Sequence, residues 1–355
     1  MTEESNSPSL GQNEKTNKQL LLHKVPKGIS GSEDFTVRET PIPQPGLGEV
    51  LVEAHYLGVD AALRLITRDS DEFLFRVKPG DLVHGSAAGR IVASQHPELR
   101  VGDYVVGSLG IQNFAVSDGA GLERCDLSQA PLGVWLGGFG VSGLTAYFAL
   151  TEECKPQPGQ TVLINGAAGA VGSIAGQICR LAGCRVIGLT GSDAKCRWLQ
   201  DTLGYHAAIN YHDPDWYAQL EEAAPDRLDI IFDNVGGTLL DESLKLIGMR
   251  GVVLLCGSTS QYPAAHMSGP ANYIWLGTMR ARLQGFVVFD YASRYAEARN
   301  TMSRWMANGE LILPAWEVPG DIEVFPTAYQ QMYEGKNLGK TLVRLPAADA
   351  QPASQ

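Results

Sequence analysis

The sequence contains no Cys-x-x-Cys pair. Its six cysteines, Cys125, Cys154, Cys179, Cys184, Cys196 and Cys256, are scattered through 355 residues, which excludes a zinc knuckle and a redox dithiol and fits a reduced, cytoplasmic chain. A basic excess is also missing: 28 Lys and Arg against 39 Asp and Glu leave a formal net charge of -11. Such a balance argues against nucleic acid and anionic membrane surfaces as partners. Residues 1–18 have no apolar signal core and read as a flexible N-terminal tail, as residues 346–355 do at the other end. The one long uncharged stretch, 127–151, is broken by Gln129, Pro131, Ser142 and five glycines and has no basic flank, so it reads as buried loop and helix rather than a membrane span.

Glycine, by contrast, is abundant, at 40 residues. No Gly-X-Y period accompanies it, so it serves tight turns and close backbone approaches. A hydrophobic fraction of 44% supports large buried cores, and the chain length predicts two domains. From residue 19 to about 139, short runs such as Glu49-Val50-Leu51-Val52-Glu53-Ala54-His55-Tyr56 alternate apolar and polar residues between Pro-Gly and Gly-Asp turns. They predict an antiparallel β domain. From residue 140 to 309 the rhythm becomes strand, glycine turn, amphipathic segment, with strands expected at 161–165, 185–189, 207–210, 228–233, 252–256 and 283–288. Six strands alternating with helices imply a doubly wound parallel sheet in an α/β fold. Residues 310–345 return to short strands and are expected to rejoin the first domain.

The decisive motif is Gly166-x-x-Gly169-x-x-Gly172, delivered by the apolar strand 161–165 and followed at once by a helical pattern. Without side chains the backbone bends sharply and approaches a pyrophosphate, while the helix N-terminus offers unpaired N–H groups. The second strand then selects the cofactor. An NAD site places a carboxylate there for the adenosine ribose, whereas this chain has Gly188-Leu189-Thr190-Gly191-Ser192. Its nearest acid, Asp193, reads as a first-turn helix residue after the N-cap Ser192. Lys195, one helical turn from that N-terminus, can meet a 2′-phosphate as a point charge. The expected cofactor is NADPH.

A β domain, a dinucleotide domain and a return to the β domain resemble the medium-chain dehydrogenase/reductase superfamily, so the resemblance implies a doubly wound Rossmann sheet inserted into a GroES-like domain. Zinc members carry an early catalytic cysteine, a Gly-His-Glu turn and a four-cysteine lobe. This sequence has Gly58-Val59-Asp60, His84-Gly85-Ser86 and no cysteine cluster, so no metal is expected. The motifs Gly143-Leu144-Thr145-Ala146-Tyr147, Ala167 to Gly172, Phe232-Asp233-Asn234-Val235-Gly236-Gly237, Arg280 to Tyr291 and Asn337-Leu338-Gly339-Lys340 are similar to the zinc-independent branch of prostaglandin, alkenal and curcumin reductases.

That resemblance implies NADPH-dependent reduction of an activated C=C bond in an enone or enal, by a homodimer. It places Gly166, Ala168, Gly169, Ala170 and Val171 at the pyrophosphate and Thr190, Gly191, Ser192, Lys195 and Tyr211 at the adenosine 2′-phosphate. Asn234 falls beside the cofactor, and Cys256, Gly257, Ser258, Phe286, Val287, Val288 and Asn337 fall along its nicotinamide half. Tyr262 matches a tyrosine that reaches the nicotinamide ribose and the active-site oxygen, the catalytic assignment. Relatives carry an Asp-Pro-Tyr-Met-Arg-like stretch where this chain reads Asp60-Ala61-Ala62-Leu63-Arg64, so the family's aromatic hydroxyl is absent at Ala62, and Arg64 reads as a surface or structural arginine. The alternatives are a quinone oxidoreductase of the same superfamily and an NADPH-binding interaction protein without turnover.

Overall fold

Strands form readily where β-branched and leucine side chains run without interruption. The clearest is Val162-Leu163-Ile164, whose three side chains are all 0% exposed in the computed structural model, which describes residues 16–69, 76–264 and 266–347. Strand residues buried on both faces belong to the middle of a parallel sheet, and each such side chain contributes roughly 1.5–3 kcal/mol relative to exposure.

The six-stranded sheet is built from β8 (Thr161–Asn165), β9 (Arg185–Thr190), β10 (Ala207–Asn210), β11 (Leu228–Asp233), β12 (Ile247–Leu255) and β13 (Arg282–Gly285). Its order is β10-β9-β8-β11-β12-β13, every pair parallel. The chain leaves β8 toward one side and returns through β11 on the other, so the switch point lies between β8 and β11, where a ligand crevice opens beyond the strand ends. Helices Gly172–Leu181, Asp193–Asp201, Trp216–Ala223 and Gly237–Leu244 connect these strands.

The other domain has β1 (Thr16–Leu22) paired with β2 (Phe35–Pro41), and a seven-stranded sheet. That sheet contains β3 (Val50–Val59), β4 (Ser86–Ser94), β5 (Tyr104–Ser108), β6 (Phe114–Ser117), β7 (Glu123–Arg124), β14 (Ala315–Pro319) and β15 (Lys340–Arg344). Its order is β14-β15-β3-β4-β5-β7, with β6 also on β3. β15 lies antiparallel to β3, so the end of the chain closes the domain that its beginning opened.

Two expectations change. The first strand begins at Thr16, inside the segment read as the tail 1–18, because Leu20, Leu21 and Leu22 pull it into pairing with β2; residues 1–15 and 348–355 of the two tails lie outside the described residues. In β3, eight of the ten residues are buried, His55 among them, and the strand is central, pairing with β15, β4 and β6. The sixth parallel strand ends at Gly285, not at residue 288, and Val288 opens a 3₁₀ segment, Val288–Arg294. The uncharged stretch 127–151 contains two short helices, Leu132–Leu136 and Val141–Phe148. Among the described residues no helix is long and apolar enough to cross a membrane.

The two domains share one core cluster, with Ala88, Val106 and Leu342 of the β domain packed together with Val162, Ile164 and Phe232 of the parallel sheet. Gln177, on the helix after the glycine turn, reinforces the junction by exchanging two 2.8 Å hydrogen bonds with the backbone of Ile312.

Candidate active site and dinucleotide cleft

Gly166 ends β8 with φ +68°, a conformation that L side chains rarely adopt. Gly172 opens the following helix so close to this turn that a Cβ would stand 2.4 Å from the Gly166 carbonyl oxygen. Between them, the Gly169 amide donates to the Gly166 carbonyl at 3.1 Å. The turn is thus folded onto itself with its backbone bare. Ala168 is buried, and Val171 is the N-cap of the helix.

This turn also touches the other domain. The Gly339 amide donates to the Ala168 carbonyl at 2.9 Å, and Gly169 and Gly339 form a parallel bridge. Asn337, 7% exposed, holds that loop by donating from Nδ2 to the Gly339 carbonyl at 2.8 Å. The neighbouring Lys340 is also buried and bonds the Val59 carbonyl at 3.0 Å and the Asp60 carboxylate. A single short loop therefore links the glycine turn to the segment after β3.

At the end of β9, Ser192 caps the next helix, its hydroxyl accepting from the Lys195 amide at 3.3 Å. Thr190 is buried and its carbonyl accepts from the Tyr211 amide at 3.0 Å. The Tyr211 hydroxyl lies 2.9 Å, and His212 Nε2 lies 3.6 Å, from where a Cβ on Gly191 would be. Among the described residues nothing pairs with the Lys195 ammonium, and burial lowers its pKa. Its Nζ is 3.6 Å from the Cβ position of Gly335, at the near end of the Asn337 loop. Asp193, the nearest acid, is engaged by Asn210 Nδ2 at 2.8 Å. A half-buried cation without a carboxylate partner, beside two small residues, fits a phosphate and not a second cation.

The third part lies at the ends of β11 and β12. Asn234 Nδ2 donates to the Asn165 carbonyl at 2.8 Å, while Asn165 Nδ2 donates to Asp233 at 2.9 Å. Burial raises the Asp233 pKa, opposed by the bond from Asn165 and by the backbone amides of Gly236 and Val235. The Cys256 and Gly257 amides donate to the Asp233 carbonyl at 2.9 and 3.1 Å. Tyr262 folds back over this corner: its hydroxyl accepts from the Ser258 amide at 3.2 Å and stands 3.1 Å from the Cβ position of Gly257. Burial raises the Tyr262 pKa, so the phenol is protonated at neutral pH. Burial also pushes the Cys256 thiol up to about 12, which removes thiolate chemistry there.

Most of the expected site residues thus gather beyond the carboxyl ends of β8, β9, β11 and β12. Phe286 to Val288 differ, because they follow the end of β13: Phe286 packs on the shared core, Val288 is 6% exposed, and Val287 is 54% exposed at the sheet edge. Arg64 is structural and buried, donating to the Gly28 and Pro26 carbonyls. His84 bonds the Ser108 hydroxyl at 3.0 Å. Among the described residues no three His, Cys, Asp or Glu side chains gather where they would hold a metal. Sequence reasoning missed Asn165, Lys340 and Gly339 as a brace, since their partners lie far away in the chain; a buried Asp-Asn pair after an apolar strand was the available signal for the first.

Comparison with known proteins accords with this geometry. Residues 18–125 match a family model described as the N-terminal domain of oxidoreductase, and residues 170–307 match one described as zinc-binding dehydrogenase. The chain is 35% identical to rat (Rattus norvegicus) prostaglandin reductase 1, over 92% of this chain and 98% of that one. The chain belongs to the zinc-independent medium-chain dehydrogenase/reductases. Within this group it is also 33% identical to the NADPH-dependent curcumin reductase of Escherichia coli, over 96% of this chain and the whole of that protein. The crystal structure of CurA from Vibrio vulnificus in complex with NADPH superposes with a TM-score of 0.88 at 34% identity, covering 94% of this chain and all of that one.

Proposed function

We propose that this protein is an NADPH-dependent reductase of the activated C=C bond in α,β-unsaturated ketones or aldehydes. One observation carries the reading: a single protonated phenol, Tyr262, closes the same corner, Gly257 and Asn234, that borders the Gly166 turn. When bound, NADPH supplies the hydride. The bare turn at Gly166, Gly169 and Gly172 takes the pyrophosphate, and Lys195 with Gly191, Ser192 and Tyr211 takes the 2′-phosphate. Asn234, Cys256, Gly257, Ser258 and Asn337 border the nicotinamide half, and Phe286 to Val288 its outer rim.

Hydride addition at the β carbon moves charge onto the carbonyl oxygen. The Tyr262 hydroxyl, already seated on the Ser258 amide, donates to that oxygen and stabilises the enolate by electrostatics. With its pKa raised it is a donor and not a base. The α carbon then takes its proton from water. This chemistry needs neither a nucleophile nor a Lewis acid.

The test is product analysis with deuterated NADPH on an enone, an enal and a quinone. Deuterium at the β carbon and a solvent hydrogen at the α carbon support the reading. Deuterium at the carbonyl carbon marks a carbonyl reductase, and turnover of the quinone alone marks a quinone reductase; either result overturns it. NADPH binding without oxidation in the presence of any of the three acceptors would mark a binding protein.

A homodimer and a cytoplasmic location complete the proposal. β13 ends the parallel sheet, and Leu283, Val287 and Phe289 beside it are 43, 54 and 65% exposed. An apolar, unpaired strand edge is covered most simply by its own copy across a two-fold axis. Sedimentation at micromolar concentration checks this, and a monomer would refute it.

A further inference from the structure

Tyr205 is a buried phenol that none of the roles above uses. It stands in the loop between the helix Asp193–Asp201 and β10, tied on both sides: its own amide donates to the Leu199 carbonyl at 3.0 Å, and the amide of the next residue, His206, donates to the Val186 carbonyl at 2.9 Å. From there the ring reaches the helix Gly172–Leu181 through a slot that two glycines leave open. A Cβ at Gly176, in that helix, would stand 2.0 Å from both the ring Cζ and the hydroxyl, and a Cβ at Gly188, in β9, would stand 3.0 Å from two ring carbons. At the end of the slot the hydroxyl donates to the Gly172 carbonyl at 2.7 Å.

Phenylalanine would fill the same slot, so packing alone does not call for the hydroxyl. The carbonyl it bonds is a special one. Gly172 is the first residue of the helix and the last glycine of the turn, and a Cβ there would stand 2.4 Å from the Gly166 oxygen and 2.9 Å from the Ala167 Cα. The next amide, of Ser173, donates to the Gly169 carbonyl at 3.0 Å. The glycine turn and the first turn of the helix are therefore one packed unit, and the phenol grips that unit from the side of β9. Its own anchor, Leu199, belongs to the helix that carries Lys195. Burial raises the Tyr205 pKa well above the ordinary tyrosine value, so the hydroxyl stays a donor at neutral pH.

We propose that Tyr205 is a positioning residue for the cofactor: acting through the Gly172 carbonyl, its hydroxyl fixes the glycine turn and the helix start where they receive the pyrophosphate. This deepens the reading of the dinucleotide cleft and rests on the pyrophosphate lying at that turn. A site made of backbone N–H groups has no side chain with which to adjust, so its affinity depends on how firmly the backbone is held. The net worth of one neutral hydrogen bond corresponds to about a 3- to 10-fold change in affinity.

The experiment measures, by calorimetry, the binding of NADPH, NADH and adenosine 2′-monophosphate to the parent, Tyr205→Phe and Gly176→Ala. The two dinucleotides share the pyrophosphate, whereas adenosine 2′-monophosphate lacks it and reports the Lys195 end alone. In Tyr205→Phe, NADPH and NADH should weaken by the same factor, about 3- to 10-fold, while adenosine 2′-monophosphate stays within about twofold of the parent. Gly176→Ala should give the same pattern, because its methyl displaces the phenol although alanine is the better helix former; it decides the question if Tyr205→Phe does not fold. Dinucleotide affinities within about twofold of the parent in every folded variant overturn the positioning role. Loss of NADPH alone, or parallel loss of all three ligands, also overturns it: the first places the effect at the 2′-phosphate, and the second is general loosening of the fold. A parent that binds NADPH but reduces no enone refutes the reductase reading instead, and the binding ratios still decide the role of Tyr205.

Discussion

The two sides of the cleft are built by different means. On the proposed dinucleotide side the glycine turn offers bare backbone, with one cation, Lys195, about one strand–helix unit further on. On the proposed substrate side the contact is a side chain, Tyr262, seated on the loop after β12. A backbone site tolerates almost no change at its glycines and little variation in its ligand. A side-chain site can be respecified one residue at a time, which is how one scaffold serves many substrates.

The largest expected effect breaks the backbone side. Gly172→Val puts a branched side chain where even a Cβ lies 2.4 Å from the Gly166 oxygen and 2.9 Å from the Ala167 Cα, both backbone atoms that cannot yield. NADPH binding by calorimetry should vanish or the protein should fail to fold; near-normal binding would mean that the turn is laxer than its geometry. On the other side, Tyr262→Phe should lower kcat for an enone by about 100-fold, less if a ribose hydroxyl shares the oxygen, with little change in NADPH affinity. An unchanged kcat at saturating enone would reduce Tyr262 to a wall.

Lys195→Ala should weaken NADPH by about 10- to 100-fold, the range of one charged hydrogen bond, and spare NADH. Equal losses for both cofactors would move the 2′-phosphate elsewhere. The same lysine gives a pH dependence. Its pKa is lowered by burial, so the free protein loses this proton at a pH below the ordinary lysine value of about 10.4. NADPH restores the ammonium, so binding takes up a proton and affinity falls as pH rises through the lowered pKa, up to about tenfold per unit beyond it. NADH affinity should stay flat across the same range. Smallest of all is the effect of chelation: exhaustive treatment with a strong chelator should leave turnover unchanged, and a matching loss of zinc and activity would contradict the donor inventory.

The same contrast explains how much was legible in the sequence. The parallel sheet, its glycine turn and the lysine in place of a ribose-binding acid are local patterns, because strand, turn and helix start are consecutive in the chain. Thr190, Ser192 and Lys195 stand within six residues and need no tertiary knowledge. The alternating run around β3 was legible as antiparallel strand, whereas its central place between β15, β4 and β6 was not, because those partners come from distant parts of the chain. The sixth strand was drawn too long since apolar residues continue past Gly285, yet there they feed a 3₁₀ segment and the shared core. The roles of Asn165 and Lys340 were illegible for one reason: each bonds an atom contributed by a distant segment.

The bond between the Gly339 amide and the Ala168 carbonyl has a consequence for recombination. By chain position Gly339 belongs to the returning β segment, but by contact it is part of the nucleotide turn, and Lys340 next to it grips the segment after β3. An exchange of dinucleotide modules between relatives, cut at the obvious seams near residues 140 and 309, would separate the turn from the loop that is hydrogen-bonded to it. A working chimera would have to carry residues 337–340 with the transplanted module. The unit of inheritance for the cofactor site is therefore discontinuous in the gene.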